Sequence, residues 1–177
     1  MREAGERLPQ VTFKLRQDGA WSEKTSDSLF RGRRVVLFAL PAAFSTTCSA
    51  RHLAGYVALA RNIRAMSIDE IFCLAVNDAF VMNAWARDQG LAGEVTLLPD
   101  GSGAFTREMG MLTDRSAEGY GQRSRRYSLL ADDGTIERIF VESREGGMNA
   151  LDVSDAITML DHLDDRRLAA RQRVAAE

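Results

Sequence analysis

At 177 residues the chain has the length of one domain, enough to bury a core without disulfides or a structural metal. Its 23 basic and 25 acidic residues leave a net charge of −2, which removes any electrostatic case for a nucleic-acid partner. No apolar run approaches the ~20 residues of a membrane span, and MREAGERLPQ lacks the hydrophobic stretch of a secretory signal, so the expectation is a cytoplasmic protein without a membrane partner.

Along the chain, RRVVLFAL (33 to 40) is a short continuous apolar run ended by Pro41, the pattern of a strand buried on both faces. Leu53, Tyr56, Val57, Ala60 and Ile63 follow at three- and four-residue spacing, one stripe of a helix. IFCLAV (71 to 76) is a second buried-type run, and Phe80 to Gly90 reads as a helix containing Trp85 and stopping at glycine. VTLLPD (95 to 100) suggests a third short strand, and DGSGAF a turn with a helix start near Ala104. Strands alternating with helices imply parallel strands with crossovers. YSLLADDGTIERIFVE (127 to 142) then changes the order: two strand-like runs meet at Asp133-Gly134, the strongest short hairpin signal. Glycines 146 and 147 break the chain before a last helix, in which Leu151, Ala156, Ile157, Leu160 and Leu163 are expected to face the core. The sum is one α/β domain over 1–165, a mixed sheet flanked by helices, with a charged, alanine-rich tail over 166–177 expected to extend the last helix into solvent.

Two cysteines, at 48 and 73, cannot make a disulfide framework, and with two histidines they match no standard zinc spacing, so no metal is expected. Cys48 follows a strand, a proline and a hydroxyl-rich turn, and it opens an amphipathic helix that Ser45, Thr46 or Thr47 can cap. Partial positive charge at such a helix start stabilises thiolate over thiol. Cys73 lies among apolar residues with no polar neighbour to hold a thiolate, and packing is the better reading for it. No second cysteine sits two or three residues from Cys48, which excludes dithiol exchange within a Cys-x-x-Cys pair. His52, one helical turn on, could act as a base, but nothing nominates the orienting group or oxyanion site of a cysteine hydrolase. Redox chemistry at one thiolate remains.

PAAFSTTCSARHLAGY (41 to 56) resembles the active-site signature of the peroxiredoxins, in which a proline, a Thr or Ser four positions on and a Cys three further on form the peroxide pocket. Pro41, Ser45 and Cys48 match that spacing, and the resemblance continues through VNDAFVMNAW, DGSGAFTREMG and RRYSLLADDG in the order of the type-five subgroup. It covers the chain from about residue 5 to 163. The resemblance implies a thioredoxin fold and a thiol peroxidase that reduces hydrogen peroxide and small organic hydroperoxides without cofactor. Cys48 would be the peroxidatic cysteine that becomes a sulfenic acid, Ser45 the hydroxyl that binds the peroxide, Pro41 the shield against water and Arg126 the partner of the thiolate. On residues alone Arg123, Arg125 and Arg126 compete for that last role, although strand geometry lets only one of Arg125 and Arg126 reach the cysteine.

Departures from the pattern bear on rate: Ser45 lacks the methyl of the commoner threonine, and Ala42 and Thr46 stand where the subgroup usually has glycine and proline. VESREGGMNALDVSDA also carries no resolving cysteine. Reduction of the sulfenic acid is therefore assigned to an outside thiol, glutathione with glutaredoxin or thioredoxin. A homodimer is expected from the resemblance alone. The rival from another class is a peroxide-sensing relay protein that uses the same cysteine and passes its oxidation to a partner.

Overall fold

The computed structural model describes residues 1–143, 145 and 147–174. Strands β1 (Thr12–Gln17) and β2 (Ala20–Thr25) form a hairpin, followed by α1 (Ser26–Phe30) and the first buried strand, β3 (Arg34–Ala39). A π-helical turn over Cys48–Leu53 runs into α2 (Ala54–Arg64), then come β4 (Glu70–Ala75), α3 (Ala79–Asp88), β5 (Thr96–Pro99) and α4 (Ala104–Glu108). A second hairpin joins β6 (Leu112–Arg115) to β7 (Gly121–Ser124), and β8 (Tyr127–Asp132), β9 (Thr135–Val141) and α5 (Ala156–Val174) complete the chain.

Five strands make the central sheet in the order β5-β4-β3-β8-β9. β3 pairs in parallel with β4, and β4 with β5, whereas β8 runs antiparallel to both β3 and β9. The parallel half needs helical crossovers and the antiparallel half needs only a turn. That turn is Asp133-Gly134, with φ of 46° and 72°, the two positive values that a tight hairpin demands.

The apolar run of β3 is continuous because both faces are covered. Val36, Phe38 and Leu40 join Cys73, Tyr56, Ile63, Trp85, Met159 and Leu163 in one core, against α2, α3 and α5. Val35, Leu37 and Ala39 point the other way, into a core with Phe13, Phe30, Phe72 and Phe105 from the β1, α1, β4 and α4 side. Cys73 is fully buried in the first of these, as expected of a packing residue.

The structure adds one hairpin and corrects the facing of the last helix. The β1–β2 hairpin turns on Asp18-Gly19, both with positive φ, the same signal as at 133–134, but β2 is exposed along its whole length and carries no buried face. In the last helix Ile157 is 64% exposed and Met159 takes the core position, while Leu151 is buried but precedes the helix. α5 continues without a break across residues 165 and 166; Gly146 and residues 175–177, parts of the expected chain break and of the tail, lie outside the described residues.

Candidate active site

Cys48 sits past the C-terminal end of β3, the central strand, after the turn that begins at Pro41. The turn reverses through Phe44, which holds a φ of 63° although it carries a bulky side chain, and which is half exposed. Such backbone is costly for an aromatic residue and recurs where a site over-determines its geometry. Ala43 N–H donates to Asn77 Oδ1 at 3.1 Å, and Trp85 Nε1–H donates to Ser49 Oγ at 3.0 Å, so the start of α3 and its buried face hold the turn from two sides.

The hydroxyls near Cys48 do not cap the helix in the expected way. Ser45 Oγ–H donates to Ala42 O at 3.0 Å, and Thr47 makes no side-chain cap but donates from Oγ1 to Asn149 Oδ1 at 2.9 Å. The backbone is already helical before Cys48, as the bond from Ser49 N–H to Ser45 O shows. Ser45 keeps its oxygen lone pairs free to accept, since its proton is committed to Ala42. Pro41 is buried, two residues past the last residue of β3.

Of the three competing arginines only Arg126 reaches the sulfur. Its Nη2–H groups donate to Cys48 Sγ at 3.3 Å and to Met148 O at 2.7 Å, and its Nη1 donates to His52 Nδ1 at 3.0 Å. Arg125 turns away to Glu142 O, and Arg123 donates to Val76 O. Arg126 is 4% exposed and Cys48 fully buried, so this contact works in a medium that screens charge poorly. Arg126 Nε is buried and has no hydrogen-bond partner among the described residues.

His52 belongs to this cluster in a way the sequence did not reveal. Its Nε2 lies 3.1 Å from Ser154 O, which can only accept, so Nε2 carries the proton and Nδ1 presents its lone pair to Arg126. Burial, reinforced by the Arg126 guanidinium, pulls its pKa from the ordinary 6.5 down to about 3, and the ring is neutral at pH 7. With both nitrogens engaged away from Cys48, it is not a base for the thiol. The hydrolase reading loses its only nominee. Its i+4 spacing from Cys48 was the available signal; the partner it serves, 74 residues on, was invisible.

Cys73 presents the contrasting environment. Burial, with Cys48 close by, pushes its thiol up, so it stays protonated at neutral pH. No group of three or more His, Cys, Asp or Glu among the described residues is arranged to hold a metal.

The family model described as Redoxin matches residues 3–160. Over 170 residues the chain is 46% identical to peroxiredoxin sll1621 of Synechocystis, with 89% of each protein covered. The chain belongs to the peroxiredoxin family. Hybrid peroxiredoxin hyPrx5 of Haemophilus influenzae is 44% identical over 159 residues, 90% of this chain and 65% of that longer protein. The crystal structure of reduced Prx3 from Vibrio vulnificus in complex with hydrogen peroxide matches with a TM-score of 0.85 at 38% identity, covering 92% of this chain and 99% of that one. The five-stranded mixed sheet with its helices is thus the thioredoxin fold of the peroxiredoxins, and the protein is a thiol peroxidase, an oxidoreductase of a family that needs no prosthetic group.

Proposed function

We propose that this peroxiredoxin reduces hydrogen peroxide and small organic hydroperoxides at Cys48. The observation that carries the reading is the 3.3 Å contact from Arg126 Nη2 to a fully buried Cys48 Sγ, in a turn where Pro41 and Ser45 precede the cysteine at the family spacing. A guanidinium stabilises negative charge on sulfur and cannot itself be deprotonated, so it serves the attacking thiolate. The same fork then faces the oxygen that acquires charge as the O–O bond breaks. Arg126 Nε, a buried donor with no partner among the described residues, is suited to a peroxide oxygen, and so is the accepting oxygen of Ser45.

In the first step the Cys48 sulfur attacks one peroxide oxygen. The S–O bond forms, the O–O bond breaks, and the electron pair leaves on the second oxygen, which takes a proton and departs as water or alcohol. Sulfur is oxidised by two electrons and the peroxide is reduced by two, leaving a sulfenic acid. In the second step an outside thiol, glutathione or a thioredoxin-type protein, attacks that sulfur: the S–S bond forms, the S–O bond breaks, and the oxygen leaves as water. A further thiol releases the mixed disulfide. Cys73, buried and held as the thiol, is assigned no part in resolution.

A homodimer across the active-site end belongs to the same reading. Phe44 and Phe80 are 51% and 57% exposed, and the Ala43–Asn77 bond brings their two segments together. Exposed aromatic residues at the active-site end suit an interface.

The decisive experiment is intact mass after one equivalent of hydrogen peroxide and then excess glutathione, on the native chain, Cys48→Ser and Cys73→Ser. Sulfenylation followed by a glutathione adduct, lost only in Cys48→Ser, supports the assignment. An internal disulfide lost in both variants would overturn it and make Cys73 a resolving cysteine.

A further inference from the structure

Glu142 follows the last residue of β9 and is 4% exposed, a place where a carboxylate is costly unless its oxygens are well used. They are. Asp152 N–H donates to both Oε1 and Oε2 at 3.1 Å. Val153 N–H reaches Oε1 at 2.9 Å, and Ser154 reaches it from both N–H and Oγ–H at 2.7 Å. Burial raises the pKa of this carboxyl, but the bonds from Val153, Ser154 and Asp152 outweigh it and the net direction is down, so the clasp is ionised at neutral pH.

The held segment is tied to the site at each end. Near its start, Met148 O accepts from the same Arg126 Nη2 that holds Cys48, and Asn149 Oδ1 accepts from Thr47, the residue before Cys48. Near its end, Ser154 O accepts from His52 Nε2 and from Tyr56 OH, each at 3.1 Å. Glu142 N–H in turn donates to Arg126 O at 3.1 Å. A ring therefore closes: Arg126 backbone, Glu142 carboxylate, Ser154, His52, Arg126 guanidinium.

We propose that Glu142 is a positioning residue whose carboxylate clasps the 147–154 strap, and that this clasp sets the balance between the peroxide step and reduction of the oxidised Cys48. The inference rests on the thiol-peroxidase chemistry at Cys48 given above. Closed, the strap fixes Ser154 O, which orients His52, which orients the guanidinium on sulfur. The closed strap also opposes the second step, since Cys48 is fully buried and a tripeptide thiol needs far more room than two oxygen atoms. Weakening the clasp moves the two half-reactions in opposite directions.

The test uses the full chain with Glu142→Ala, Glu142→Gln and Ser154→Ala. Four of the five donor contacts fall on Oε1, so an amide oxygen in that place preserves most of the clasp in Glu142→Gln and nothing does so in Glu142→Ala. In Glu142→Ala, amide hydrogen exchange across 147–154 accelerates and the bimolecular rate with hydrogen peroxide falls by about tenfold, the scale of a small misplacement of a catalytic group. Glutathione meanwhile consumes the pre-formed Cys48 sulfenic acid faster, and Glu142→Gln stays near the native values. Ser154→Ala, which loses one contact, shows the same opposed pattern at smaller amplitude and stands in if Glu142→Ala does not fold. Unchanged exchange over 147–154, or both half-reactions slowed by one common factor, overturns the proposal. If the native chain consumed no peroxide, the assignment of Cys48 would fall, and the exchange arm would still decide whether Glu142 holds the strap.

Discussion

Arg126 donates to His52 across 3.0 Å, and the direction of that bond fixes the ring as the neutral Nε2–H tautomer. Protonating His52 would set two cations together out of water and remove the acceptor that orients the guanidinium. Its pKa in the folded chain, about 3, lies below the unfolded 6.5, so between those values the unfolded chain binds more protons. Folding stability contributed by this site is complete above pH 6.5 and is lost as pH falls toward 3, a change of several kcal/mol at most.

In His52→Asn the titrating group is gone. The denaturation midpoint of the native chain should decline more steeply from pH 6.5 to 5.5 than that of the variant, a window that ends about one unit above the ordinary pKa of the Glu142 carboxyl, where that group still contributes little. Parallel curves over that interval would show that His52 does not remain neutral.

Arg126→Lys keeps the charge and loses the fork. One ammonium cannot reproduce Nη1 on His52 and Nη2 on both Cys48 Sγ and Met148 O. The rate with hydrogen peroxide should fall by roughly 10²–10³, comparable to removal of a preorganised donor at a developing oxyanion. Stopped-flow measurement of the first half-reaction reads this directly, and a loss of less than threefold would mean that charge alone suffices.

The architecture was open to reading because its signals are local. Two short apolar runs, a helical stripe from Leu53 to Ile63 and Asp133-Gly134 each state their element within a dozen residues. Cys48 stood out by its place after a strand and a hydroxyl-rich turn, Pro41, Ser45 and Arg126 were named through the family resemblance, and the structure places Arg126 on Cys48. What stayed hidden is long-range. Ser154 lies 102 residues from His52 and Asn149 lies 102 from Thr47, and no periodicity in the chain announces such pairs. Glu142, at the close of an ordinary-looking strand, gave no sign that three backbone amides of a later loop would converge on it. The β1–β2 hairpin was missed for a different reason: its Asp-Gly turn was legible, but β2 has no buried position to mark it as a strand.

Cys73 tests the distinction between a packed thiol and a reactive one. Its sulfur is fully buried beside Phe38 of the neighbouring strand, and burial holds it protonated. Cys73→Ser puts a hydroxyl into that apolar core and should cost about 1–3 kcal/mol in urea denaturation, whereas Cys73→Ala leaves only a small cavity. Peroxide turnover with added thiol should persist in both. Turnover abolished in Cys73→Ala, with the fold intact, would require Cys73 in the catalytic cycle.

The last helix separates its anchored part from its charged end at Arg166. This residue donates to Glu137 of β9 from Nη1 at 2.6 Å and from Nη2 at 3.2 Å, and Glu137 also pairs with Arg34 of β3 at 3.4 Å. The bidentate geometry gives more than an isolated surface pair, yet both side chains are partly solvated and salt weakens the contact. Removing residues 168–177 should leave thermal stability almost unchanged. Removing 166–177 also deletes the pair, and should lower stability by about 0.5–1 kcal/mol at low salt, with the difference shrinking toward zero near 1 M salt. The first peroxide reaction should be equal in both truncated chains, because the clasp, His52 and Arg126 lie at the other end of the helix. If removing 166–177 slows reduction of oxidised Cys48 by a thioredoxin-type protein but not by glutathione, the helix end is a docking surface; equal slowing with both reductants, or none, excludes that role.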